Sequence, residues 1–287
     1  MTAASTVTGR REFPFEKRHF AFIAGLIHQL AGIHLAEHKV EMVYSRLARR
    51  LRDLRLKDFD AYCTLLESDE GAAEVGYLVN ALTTNLTSFY RESHHFDHLG
   101  RTLLPEARER QAQASKPRLR IWSAGCSSGQ EPYTIAMVLA STMPDLRRWD
   151  ARILATDIDT HMVETARRGL YAADAATGIP PSVRDRFTHR MRGEDGEPKL
   201  AMDDELKRLI TFKPLNLLEH WPMKGPFDAI FCRNVLIYFD RVGRTQVIEN
   251  FARLLTHDGY LYLGHSESLY GVSNAFRQTG PTIYRRL

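Results

Sequence analysis

Ile121-Trp-Ser-Ala-Gly-Cys-Ser-Ser-Gly-Gln-Glu-Pro-Tyr-Thr134 holds the residues best placed to do chemistry. An apolar run enters a glycine-rich turn, and the turn opens a helix with Gln130, Glu131 and Pro132 in its first turn, where proline suits the geometry. Such a loop usually receives a pyrophosphate against the partly positive helix N-terminus, but Glu131 would repel one. Gly125 and Gly129 also stand four apart, which departs from the G-x-G-x-x-G spacing of dinucleotide sites. A cationic nucleoside without phosphate fits better, and S-adenosylmethionine is the common one.

Other polar residues close apolar runs in the same way. Ala151 to Thr156 ends at Asp157, Phe227 to Cys232 ends at Arg233 and Asn234, and Tyr260 to Leu263 ends at Gly264 and His265. In a doubly wound sheet these ends converge on the ligand crevice. Asp157 lies a little beyond the roughly 20 residues expected of a ribose-binding acid. It can accept both ribose hydroxyls, or it can cap the helix that Asp159-Thr160 begins.

Positioning these ends requires alternating strands and helices, and the second half of the chain has that alternation. Leu119 to Ser123 reads as the first strand, Asp258-Gly259 as a turn before the strand Tyr260 to Leu263, and Thr282 to Tyr284 as an edge strand. Between Gly169 and Leu218 the alternation breaks for about 50 residues. Pro180-Pro181, the Gly193-Glu-Asp-Gly196 turn and extended segments near Phe187 to Met191 and Leu209 to Pro214 predict a small inserted subdomain. It is either a structural lid or an exposed edge able to take a peptide as an added strand.

Phe13 to about Tyr90 has helical periodicity. Phe20, Ile23, Ile27 and Leu30 make one stripe that stops at Gly32, and Val43, Leu47, Leu51 and Leu54 make another at about 100° per residue. Arg46, Arg49, Arg50, Arg52 and Arg55 fan over the rest of the second helix. They form either a solvated basic face or a dock for an acidic surface.

The 287 residues carry 44% hydrophobic content and a net charge of +4, enough for two folded domains and too little charge to require nucleic acid. No apolar run approaches the roughly 20 residues of a membrane span, and the polar start, Met1 to Arg11, lacks a secretory apolar centre. A cytoplasmic location is expected. Cys63, Cys126 and Cys232 lie far apart, suggesting reduced thiols without a metal or disulfide framework.

Five ordered motifs carry a resemblance. Thr83-Thr-Asn-Leu-Thr-Ser-Phe-Tyr-Arg-Glu92, Ser123 to Tyr133, Ala155-Thr-Asp-Ile-Asp159, Phe227 to Phe239 and Gly264-His-Ser-Glu267 resemble the chemoreceptor glutamate methyltransferase family CheR across nearly the whole chain. The resemblance implies a Rossmann-like S-adenosylmethionine-dependent methyltransferase domain of the α/β class, with an inserted small β-subdomain, preceded by an all-α N-terminal domain. The expected limits are 13–90 for the helical, receptor-docking domain, 91–117 for a connecting helix and linker, and 118–287 for the methyltransferase domain, its insert at about 170–214. It also implies cofactor contacts from Asn85, Thr87, Arg91, Gly125, Glu131, Asp157, Asn216, Leu217, Arg233 and Asn234. Arg91 and Tyr238 are the expected catalytic residues, and the alternative for Tyr238 is core packing. The implied partner is the cytoplasmic domain of chemoreceptors, with a receptor's C-terminal peptide tether at the β-subdomain in some members. A monomer, with no nucleic acid and no membrane insertion, is expected.

The chemistry needs no base. A glutamate with a pKa of about 4.3 is already a carboxylate at neutral pH, and a sulfonium is already activated, so His94, His95 and His265 are expected to be structural. The competing readings are a nucleic-acid methyltransferase and a non-catalytic cofactor-binding regulator. Against the first, enzymes that methylate base amino groups usually carry N-P-P-Y after the fourth strand, whereas Asn234 is followed by Val-Leu-Ile.

Overall fold

The structure is a computed structural model that describes residues 11–193 and 196–287. Most of the polar start and the centre of the Gly193 to Gly196 turn lie outside the described residues. The chain divides between Thr83 and Thr84 into two compact units. The Asn85 to Arg91 segment therefore counts with the second unit rather than ending the first.

In the first unit, α1 (Lys17–Ala31), α2 (Val40–Asp53), α3 (Phe59–Glu67) and α4 (Ala72–Leu82) follow the apolar stripes. Phe20, Ile23 and Ile27 of α1 are buried, and Val43, Leu47 and Leu51 of α2 are buried, while Leu30 and Leu54 are half-buried. Gly32 ends α1 with φ 66°, its N–H donating to the carbonyl of His28 at 2.8 Å. Asp58 caps α3 by accepting from the N–H of Ala61 at 2.8 Å.

The four arginines of α2 and Arg55 just beyond it do not share one docking face, and two expected there are turned inward. Arg46 donates to the carbonyls of Ala81 and Thr83 at 3.1 and 2.7 Å, closing the open end of α4. Arg50 grips the buried carboxylate of Glu74 with Nε at 3.0 Å and Nη2 at 2.6 Å, and its guanidinium stacks 4.0 Å from the ring centre of Tyr77. The Tyr62 hydroxyl donates to the same carboxylate at 2.9 Å. The exposed arginines are Arg49, Arg52 and Arg55, and Arg52 reaches Glu12 at 2.8 Å.

Among the described residues the second unit is built on ten strands: β1 (Arg118–Ala124), β2 (Asp150–Asp157), β3 (Leu170–Ala172), β4 (Thr188–Arg192), β5 (Pro198–Met202), β6 (Ile210–Pro214), β7 (Phe227–Cys232), β8 (Leu255–Leu263), β9 (Phe276–Gly280) and β10 (Ile283–Arg286). The main sheet has the order β6-β2-β1-β7-β8-β10-β9. Its first five members run parallel, and β10 pairs antiparallel with both β8 and β9. All six residues of β7 are buried, as a central parallel strand covered on both faces requires. The insert is a separate sheet in the order β3-β5-β4.

Three local expectations are corrected. Ile210–Pro214 belongs to the main sheet beside β2 and not to the insert. Ile283–Arg286 is an inner strand, and Phe276–Gly280 is the edge. Asp258-Gly259 lies within β8, where Asp258 has φ 67° and the pairing with β7 shifts between Phe227 and Ala229. A bulge absorbs the turn residues without ending the strand. Among the described residues no helix is long and apolar enough to cross a membrane.

Candidate functional site

Two adjacent strands and the loops beyond them build the centre of the site. Gly125, at φ 82°, follows β1, and a Cβ there would meet Val235 Cγ2 at 2.3 Å, so the β1 and β7 loops meet without room for a side chain. The loop is pinned by the N–H groups of Gly125 and Cys126, which donate to the carbonyl of Thr156 at 2.8 and 2.9 Å. Tyr90, Glu92, Ser127 and Asn234 adopt positive φ in the segments that meet here, a concentration of backbone strain expected where geometry serves a ligand.

Glu131, in the first turn of the helix Gln130–Thr142, is buried and accepts from the Ser123 hydroxyl at 2.7 Å. Its second oxygen lies 3.1 Å from Nη1 of Arg233, beyond the end of β7. Nη2 of the same guanidinium donates to the carbonyl of Arg91 and stands 3.4 Å from Glu92. Burial raises the pKa of Glu131 against the pull of Arg233 and Ser123, while at Glu92 burial is outweighed by Arg233 and His265, so its pKa sits low. One guanidinium thus faces two carboxylates, leaving formal negative charge inside.

Asp157 ends β2 with both oxygens engaged: one accepts the N–H of Ser127 at 2.7 Å, the other that of Asp159 at 2.9 Å. Burial lifts its pKa to about 6 despite these donors. The helix cap is Asp159 instead, accepting from the N–H groups of His161 and Met162 at 3.0 and 3.2 Å. Asn85 holds that cap, donating to Asp159 at 2.8 Å, and its carbonyl accepts from the Ser127 hydroxyl at 3.0 Å. The Asn85 to Arg91 segment is therefore tied to the β1 and β2 ends, with Thr87 half-buried and Arg91 donating to the Leu86 carbonyl at 2.9 Å.

Asn216 and Leu217 follow β6, whose neighbour is β2. Asn216 is occupied locally, with Nδ2 3.0 Å from Glu219 and Oδ1 accepting the N–H of Leu218 at 3.0 Å. Leu217 is buried against the apolar cluster containing Trp122 and Trp221. Tyr238 ends the short helix Leu236–Tyr238 half-buried, and the buried neighbours are Leu236 and Phe239, so the packing role falls on them.

Two carboxylates had motif positions but no expected role. Glu92 directly follows Arg91 and binds both Arg233 and His265, whose Nδ1 is 3.1 Å away. Glu267 closes the Gly264 to Glu267 motif and accepts three N–H groups, from Asn234 at 2.8 Å, Gly264 at 2.6 Å and Ile237 at 3.3 Å. His94 and His95 face the Pro281 carbonyl and Thr282 hydroxyl at 3.1 and 3.0 Å. Burial, then the charge of Arg233, depresses His95 to a pKa of about 3, so it stays neutral near pH 7.

The site fits a cationic nucleoside. The glycine turn at Gly125 has no side chain to intrude, Asp157 offers a carboxylate at the second strand end, and the excess of buried carboxylates opposes a phosphate and favours a cation.

A family model described as "CheR methyltransferase, all-alpha domain" matches residues 18–83, and one described as "CheR methyltransferase, SAM binding domain" matches residues 85–285. Their junction coincides with the division between the two units. The chain is 45% identical over 261 residues to the probable chemotaxis protein methyltransferase of Rhizobium etli, covering 91% of this chain and 96% of that relative. It is 44% identical over 268 residues to the chemotaxis protein methyltransferase of Escherichia coli K12, covering 93% and 90%. With chemotaxis protein methyltransferase 2 of Pseudomonas aeruginosa PAO1 it shares 42% identity over 281 residues, covering 98% and 97%.

Proposed function

The chain belongs to the CheR methyltransferase family, and from that premise we propose that it methylates glutamate side chains on the cytoplasmic domain of chemoreceptors, forming methyl esters for sensory adaptation. When bound, S-adenosylmethionine supplies a methyl group activated by its sulfonium and leaves as S-adenosylhomocysteine. The observation that carries the reading is the Glu131, Arg233 and Glu92 cluster, an ion-paired set in which Glu131 and Arg233 are buried and Glu92 half-buried, with the guanidinium between the two carboxylates. Such a cluster can hold a cation in place while removing no proton.

Each residue then has a binding or orienting task. Asp157 accepts the ribose hydroxyls, Asn216 and Leu217 bound the adenine side, and Gly125 lets the backbone approach the nucleoside. Glu131 and Arg233 neutralise the methionine part, with Asn85, Thr87 and Asn234 shaping the same wall. Arg91 and Tyr238 orient the incoming glutamate carboxylate, which is ionised at neutral pH and attacks without a base. Holding it in line in a dry pocket can contribute roughly 7 to 11 kcal/mol. In the first unit, the exposed Arg49, Arg52 and Arg55 meet an acidic receptor helix.

The decisive experiment incubates the protein with methyl-labelled S-adenosylmethionine and membranes with or without chemoreceptors. Base-labile label on receptors is expected. Label on added oligonucleotide, or cofactor binding without transfer, would sink the proposal.

The insert adds a second contact. Its edge strand β4 is exposed from His189 to Arg192 and among the described residues pairs with β5 alone, so a receptor's C-terminal peptide can extend the sheet there. Calorimetry with such a peptide should show binding that a scrambled peptide lacks. Equal heats from both would reduce the insert to a structural wing.

A further inference from the structure

The ends of β7 and β8 part just where the site begins. Their pairing runs as far as Cys232 with Leu263, after which the N–H groups of Asn234 and Gly264 have no strand to bond. Both donate instead to one oxygen of Glu267, at 2.8 and 2.6 Å, and the other oxygen accepts the N–H of Ile237 at 3.3 Å. The N–H of Glu267 returns to the carbonyl of Gly264 at 2.9 Å, closing a compact loop. The carboxylate is 6% exposed. Burying it is costly unless backbone donors surround it, as they do here.

The clamp fixes the start of a turn whose far end is held by buried Leu236 and Phe239 and by Arg244 Nε, which donates to the carbonyls of Leu236 and Phe239 at 2.8 and 2.9 Å. Behind the turn Leu236–Tyr238 lies a cavity of about 100 Å³, lined on the two sides by Leu236, Ile237, Glu267 and Leu269. Ile237 is 43% exposed. Asn234 takes φ 60°, and a Cβ on Gly264 would meet its Nδ2 at 2.4 Å, so the two loop starts are pressed together at the clamp. The turn carries Asn234 at one end and Tyr238 at the other.

We infer that Glu267 is a positioning residue for methyl transfer, fixing the 234–238 turn so that Tyr238 and Asn234 keep the geometry the reaction requires. This rests on the proposed role of Tyr238 in orienting the glutamate. Glu267 itself touches neither reactant. An error of about 1 Å in placement can cost on the order of 100-fold in rate, so a clamp on the turn should act on kcat before binding.

The test is Glu267→Gln, which keeps the shape but replaces one acceptor by an amide that opposes the backbone donors. Amide exchange in the full chain, followed by NMR, should speed up at Asn234 and Ile237 while β7 stays protected. Receptor methylation should lose roughly 10- to 100-fold in kcat, with the KM for S-adenosylmethionine close to the parent's. Unchanged exchange at those amides, an unchanged kcat, or a loss of cofactor affinity in step with kcat would each overturn the inference. If Glu267→Gln does not fold, Glu267→Asp keeps the charge and draws it back by one methylene. It should give the same pattern more weakly, and the same outcomes overturn it. A parent protein inactive on receptors would sink the function instead, and the exchange result would still report on the clamp.

Discussion

Nη1 of Arg233 lies 3.1 Å from Oε2 of Glu131, with both side chains almost closed off from solvent. Glu92 stands on the other side of the guanidinium at 3.4 Å. Removing the cation strands two carboxylates together, and breaking one side of a buried pair typically costs about 3–5 kcal/mol. Arg233→Met is therefore expected to lower the stability of the second unit by roughly that amount, and adding Glu131→Gln should recover part of it. Urea unfolding of the two variants against the parent checks this. A double variant no more stable than Arg233→Met would show that the stranded charge is not the cause.

Asp157 makes the cofactor site sensitive to acid. Burial raises its pKa to about 6 from the ordinary 3.8 of an aspartate, so between those values the folded protein holds a proton that the unfolded chain has lost. The penalty of the buried charge is thus present above about pH 6 and is relieved as pH falls toward the unfolded value. Cofactor binding has the opposite preference if the carboxylate accepts the ribose hydroxyls. Affinity for S-adenosylhomocysteine should be full above about pH 6 and fall as the proton goes on. Calorimetry across that range should show the decline, and Asp157→Asn should bind more weakly at neutral pH and lack this step. Asp157→Ala would also lose most affinity with the fold intact, though it frees the N–H groups of Ser127 and Asp159. A parent and an Asn variant with the same pH profile would assign the carboxylate to loop support alone.

The strand ends were legible because polar residues terminate apolar runs: Asp157 after Ala151 to Thr156, Arg233 after Phe227 to Cys232. The helical first unit was legible through the burial stripe of Val43, Leu47 and Leu51. What periodicity could not show was partnership across the chain. Arg50 looks like part of a basic face until Glu74, 24 residues away, is seen to hold it. Glu267 needs β7 and β8 to be neighbours before its carboxylate has donors to collect. Ile210–Pro214 has the same extended pattern whether it pairs within the insert or with β2, and only the distant partner decides.

The arginines of α2 should separate by task. Arg50→Ala leaves Glu74, 5% exposed, with the Tyr62 hydroxyl but without its bidentate cation, and the first unit should lose roughly 3 kcal/mol. Among the described residues, Arg49→Glu combined with Arg52→Glu removes only the exposed ion pair of Arg52 with Glu12, which in such positions is worth about 0–1 kcal/mol. That pair should leave stability nearly unchanged while slowing receptor methylation, and the deficit should shrink as salt screens the charges. Thermal melts and initial methylation rates over a salt series distinguish the two classes. If the double reversal methylates receptors at the parent rate in low salt, the exposed face of α2 is solvated surface and docking lies elsewhere.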